Sequence, residues 1–157
     1  MLPLNLPKYP VKLTEKMGKP FIWDSMRRKF VALTPEEWVR QHFVNYLVTE
    51  KHYPKELLAN EVTLKLNGTS KRCDTVVYNS FLEPLMILEY KAPTIGITHA
   101  TFDQIIRYNH VLHVRYLTVS NGLRHFCCQI DYEQQTYVFL ENIPEYGELG
   151  ELIDGIS

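Results

Sequence analysis

A chain of 157 residues with 45% hydrophobic and 22% charged residues has the make-up of a soluble globular protein with a sizeable core. Its 17 Lys and Arg against 18 Asp and Glu leave a formal charge of −1, which argues against a strongly basic, self-sufficient nucleic-acid-binding module. No run approaches the roughly 20 apolar residues of a membrane span. The start, Met-Leu-Pro-Leu-Asn-Leu, lacks the basic and long apolar regions of a signal peptide, and Cys73, Cys127 and Cys128 form no CxxC pair. Buried thiols in a cytoplasmic protein with no membrane partner are the expectation.

Residues 1–33 are proline-rich and read as an extended N-terminal arm with a basic stretch at Arg27, Arg28 and Lys29. Residues 34–157 read as a single domain. Its first helix opens on Thr34 as N-cap, Pro35 at the first helical position and Glu37 placed to complete a capping box. Val39, Phe43, Tyr46 and Leu47 supply an apolar stripe, and Pro54 ends the pattern.

Glu61–Asn67 alternates as a half-buried strand, with Gly68 as the turn. Lys71–Asn79 is a second strand and Pro84–Lys91 a third, whose run Leu85-Met86-Ile87-Leu88 suits a central strand covered on both faces. A helix over about 98–112 follows, with Phe102, Ile105, Ile106 and Val111 facing a sheet. Val114–Val119, His125–Ile130 and Thr136–Leu140 are further strands, and a short helical turn lies beyond Pro144. The first three strands form an antiparallel meander, and the helix after them implies a parallel pairing of the third with the fourth. The fold class is α/β: a central mixed sheet flanked by helices.

The chemistry sits on the second and third of these strands. Asp74 and Glu89 are carboxylates that a sheet can bring together, and paired carboxylate oxygens hold a hard divalent cation. Lys91, two residues after Glu89, projects from the same face. That set suits phosphodiester hydrolysis. Read singly, Asp74 is as well explained by a buried polar network and Glu89–Lys91 by a same-face ion pair.

Taken together, these residues resemble the PD-(D/E)xK nuclease superfamily, with Asp74 on the second core strand and Glu89-Tyr90-Lys91 on the third. Gln104 and Tyr108 carry the Gln-x-x-x-Tyr spacing of its RecB-like branch. The runs Thr-Pro-Glu-Glu-Trp-Val-Arg-Gln41, Leu-Glu-Tyr-Lys-Ala-Pro93, Asp-Gln-Ile-Ile-Arg-Tyr-Asn109 and Val-Ser-Asn-Gly122 look like the N-terminal nuclease domain of type I restriction enzyme motor subunits. The resemblance covers roughly residues 30–130. It implies a restriction-endonuclease-like three-layer α/β/α fold and a Mg²⁺-dependent DNA endonuclease domain in which Mn²⁺ can substitute.

On this resemblance Asp74, Glu89, Lys91, Gln104 and Tyr108 are catalytic. Asp74, Glu89 and the Tyr90 carbonyl hold the metal, with Glu37 a further candidate. Arg72 and Arg107 are weak candidates for DNA contact. The implied partners are DNA, a helicase (motor) or specificity subunit, and a second copy of the chain. No GxxxxGK[ST] loop appears, so ATP-driven translocation is not implied. The competing reading is a non-cutting nucleic-acid-binding or assembly module of a restriction-modification or repair complex. A nuclease acting on RNA or on branched substrates is a third.

Overall fold

The alternation of side chains along the third core strand sets the architecture. In the computed structural model, which describes residues 3–66, 68–109 and 112–149, this strand is β6 (Pro84–Tyr90). Met86, Leu88 and Tyr90 pack into one hydrophobic cluster with Val39, Phe43 and Leu47 of helix α1 (Pro35–Thr49). Ile87, between them, packs into a second cluster with Phe102 of helix α2 (His99–Asn109). A strand buried on both faces needs apolar residues at every position, as this run supplies.

The main sheet has six strands in the order β4 (Leu58–Leu66), β5 (Thr69–Tyr78), β6, β7 (Tyr116–Ser120), β8 (His125–Asp131) and β9 (Thr136–Phe139). All neighbours are antiparallel except β6 and β7, which α2 connects as a parallel crossover. With α1 on one face and α2 on the other, the result is the three-layer α/β/α sandwich. Adjacent Cys127 and Cys128 follow the same alternation, one in each cluster.

Two local expectations differ from what forms. Residues 13–32 are not an extended arm but a three-stranded antiparallel sheet of β1 (Leu13–Lys16), β2 (Lys19–Asp24) and β3 (Lys29–Ala32). The β1–β2 connection is a two-residue turn at Met17 and Gly18, with φ of 52° and 77°, the twist that hairpins favour. At α1, the Glu37 amide does donate to Thr34 Oγ1 at 3.0 Å, but the box is not closed. The Thr34 amide donates instead to the Ala32 carbonyl, and the Glu37 carboxylate is engaged elsewhere.

Candidate functional site

The β5–β6 register pairs Thr75 with Leu88 and Val76 with Ile87. One step further along both strands, Asp74 and Glu89 stand opposite each other on the face of Val76 and Ile87. Burial first, then the Asp74 charge and side-chain hydrogen bonding to Asp74, push the Glu89 carboxyl up to about 9. The Lys91 ammonium is close enough to oppose this shift. Its backbone amide donates to the Ser120 carbonyl at 2.9 Å, which ties the end of β6 to β7. A second bond fixes the aspartate: the Tyr90 amide donates to Asp74 Oδ2 at 2.9 Å.

Two acidic groups held in contact in a partly buried place need a proton or a cation between them. Among the described residues no cluster of three or more His, Cys, Asp or Glu side chains is placed to hold a metal. Two carboxylates with a main-chain carbonyl are nevertheless the kind of oxygen donors that suit Mg²⁺, which keeps several waters and takes few protein ligands.

The remaining candidates divide. Glu37 is buried on α1, but both of its oxygens are occupied: Oε1 accepts from Arg27 Nη2 at 2.7 Å, and Oε2 accepts from Gln41 Nε2 at 2.8 Å and forms an ion pair with Arg40, whose Nε lies 3.3 Å away without hydrogen-bonding. That carboxylate neutralises arginines and is not drawn into the acidic pair. Gln104 is exposed on α2, and no hydrogen bond ties it to Glu89 or Lys91 among the described residues. The Tyr108 backbone belongs to α2, but its side chain lies outside the described residues. His110, of the His110-x-x-His113 spacing, lies outside them as well. Arg72 is exposed and pairs with Glu61 Oε2, at 2.8 Å from Nε and 2.6 Å from Nη2, and Arg107 is exposed.

Sequence reasoning missed Arg40. Its buried guanidinium donates from Nη1 to the Asp74 carbonyl at 2.6 Å and from Nη2 to Glu61 Oε1 at 2.5 Å, and lies 5.8 Å from the Tyr90 ring centroid. The contact exists because the β4–β5 ladder pairs Asn60 with Thr75 and Val62 with Cys73 but skips Glu61 opposite Asp74. Glu61 there has φ of 56°, in the left-handed region. The available signal was a charged residue, Arg40, set beside the apolar stripe of α1 one turn after Glu37.

Fold and site together define a restriction-endonuclease-like α/β/α domain. The family model "Type I restriction enzyme R protein N terminus (HSDR_N)" matches residues 35–144, and the chain belongs to that family. Among solved structures, the chain is similar to a fragment described as an HsdR subunit of a type I restriction enzyme from Vibrio vulnificus YJ016. The TM-score is 0.56 at 18% identity, over 78% of this chain and 26% of that one. A DrdV–DNA complex gives a TM-score of 0.45 at 18% identity, over 76% of this chain and 12% of that one. The chain thus spans about a quarter or less of the length of these proteins. No curated protein matches it. Among the described residues, no helix is long and apolar enough to cross a membrane.

Proposed function

We propose that this domain is a Mg²⁺-dependent endodeoxyribonuclease module, with Mn²⁺ able to substitute. The observation that carries the reading is the strand register that sets Asp74 opposite Glu89, with Lys91 two residues on, in a chain of the R-subunit N-terminal family. Asp74, Glu89 and the Tyr90 carbonyl would hold the ion. When bound, such an ion acidifies a water and offsets charge that grows on the scissile phosphate.

The protein's own share is positioning and charge. Asp74 and Glu89 present oxygens at a spot where their mutual repulsion favours a cation. Lys91 supplies a fixed positive charge for the phosphate or orients the attacking water. Electrostatic positioning, rather than general-base chemistry, is the role assigned to it. Gln104 and Tyr108, from α2, are proposed to join the site only with DNA present. Arg72 and Arg107 are the exposed cations available to backbone phosphates. Cutting both strands with one site per chain calls for two copies, or for a motor or specificity subunit that delivers the second strand.

The test is plasmid cleavage by the purified chain in Mg²⁺ or Mn²⁺, beside Asp74→Ala, Glu89→Ala and Lys91→Ala. Each substitution should abolish cutting, and activity surviving in all three would refute the assignment. Metal binding without cutting by the wild-type chain would instead favour an assembly module that awaits its partner.

A further inference from the structure

The buried polar groups behind the acidic pair close into a ring that begins and ends at Asp24, in the N-terminal sheet. On one arc Arg27 pairs with Asp24 through Nε, and its Nη2 donates to Glu37 at 2.7 Å. Glu37 faces Arg40 Nε at 3.3 Å, and Arg40 Nη1 donates to the Asp74 carbonyl at 2.6 Å. On the other arc the Tyr90 hydroxyl donates to Thr75 Oγ1 at 3.0 Å, and Thr75 donates to Asn60 Oδ1 at 2.7 Å. Asn60 Nδ2 then donates to Asp24 Oδ2 at 3.1 Å. The arcs meet where the Tyr90 amide donates to the Asp74 carboxylate.

The ring is built like a device rather than a chance surface network. Asp24, Glu37, Arg40, Asn60, Thr75 and Tyr90 are each at most 8% exposed. The second arc runs donor to acceptor in one direction and ends on a carboxylate, so each bond polarises the next. Burial alone would raise the Asp24 carboxyl, yet its bonds to Arg27, Asn60 and the Met26 amide outweigh this and hold it below the usual carboxylate range. The guanidinium of Arg40 over the Tyr90 ring braces the two arcs against each other.

We infer that Asp24 and the ring it anchors are a positioning system for the Asp74–Tyr90 segment, which makes residues 13–32 a working part of the site. The inference rests on the nuclease reading for its purpose but not for its existence. Among the described residues, neither the Asp24 nor the Thr75 side chain hydrogen-bonds to the Asp74 or Glu89 carboxylate; they bond to Arg27, Asn60 and Tyr90 instead. They fix the two backbone units, at Asp74 and Tyr90, from which two of the three proposed metal-holding groups project. Groups of this supporting kind are worth about 10–100-fold in metal affinity.

The experiment uses the full chain with Thr75→Val, which keeps the shape and removes the donor, and Asp24→Asn, which keeps the shape and removes the charge. Amide hydrogen exchange at Tyr90 is measured without metal, and Mn²⁺ affinity by calorimetry. Both variants should retain the wild-type far-UV spectrum, exchange the Tyr90 amide about tenfold faster, and bind Mn²⁺ about tenfold or more weakly. Wild-type exchange and affinity in both would overturn the proposal. If Asp24→Asn fails to fold, Thr75→Val decides. If the wild-type chain takes up no Mn²⁺, the nuclease reading falls, and Tyr90 exchange alone judges the ring.

Discussion

The Asp74 carboxylate accepts the Tyr90 amide at 2.9 Å while its own backbone carbonyl accepts Arg40 Nη1 at 2.6 Å. One residue is thus held at both ends, by a neighbouring strand and by a helix on the opposite face of the sheet. Such a clamp keeps the Asp74 side chain beside Glu89, so that ionising both carboxylates is costly, and that cost sets the first prediction.

Without a divalent cation the domain should lose stability as pH rises. The Glu89 carboxyl, pushed up to about 9 by burial and by Asp74, keeps a proton that the unfolded chain has already released. By linkage, the folded state is then penalised progressively from roughly pH 4.5 upward until about pH 9. Calorimetric scans in EDTA should show Tm falling between pH 7 and 9. Added Mg²⁺ should raise Tm, and more so at pH 9 than at pH 7. A gain that is equal at every pH would contradict the assignment.

Glu89→Gln should separate stability from function. The amide keeps the shape and removes the charge that burial disfavours, so metal-free Tm at pH 9 should exceed the wild-type value while cutting is lost. A lower Tm would mean that the carboxylate stabilises the fold.

How much of this was legible in the sequence follows from the range of each interaction. The placement of Asp74 opposite Glu89 was readable because period-two alternation and a short turn fix face and register locally. The β1–β2 hairpin left a trace in Met17-Gly18, but the surrounding prolines, including Pro20 within β2, masked the strand pattern. The Asp24 ring left none, because its bonds link positions such as 24 and 60, or 40 and 74, that only tertiary packing brings together. Glu37 shows the opposite error. A capping box or a place beside the metal was expected of it, whereas its carboxylate goes to Arg27, Arg40 and Gln41.

That error yields a quantitative contrast. Thr34→Ala removes one N-cap bond and should cost about 1 kcal/mol. Glu37→Ala strips the charge partner from buried Arg40 and half-buried Arg27 and should cost about 3 kcal/mol. Urea unfolding of both variants checks this. Equal losses near 1 kcal/mol would return Glu37 to a capping role.

Acid sensitivity should run through His125. The Asn5 carbonyl can only accept, so His125 Nε2, 2.8 Å away, carries the proton and Nδ1 accepts from Ser120 Oγ at 2.7 Å. The Gly122 amide donates to that same Ser120 oxygen at 2.9 Å, and the Asn5 amide donates to the Gly122 carbonyl at 2.8 Å, which fastens the N-terminal segment to the β7–β8 turn. Burial lowers the His125 value, with the Asn5 bond opposing in part, and burial lowers His42 too. A histidine depressed on folding contributes stability that is present above about pH 6.5 and lost as pH falls below it. In the Glu89→Gln background, which removes the opposing linkage of the acidic pair, urea titrations at pH 7.5 and 5.5 should show that loss, and a smaller one when His125→Gln is added. An identical loss in both would place the acid response at His42 or the carboxylates and remove His125 from the account.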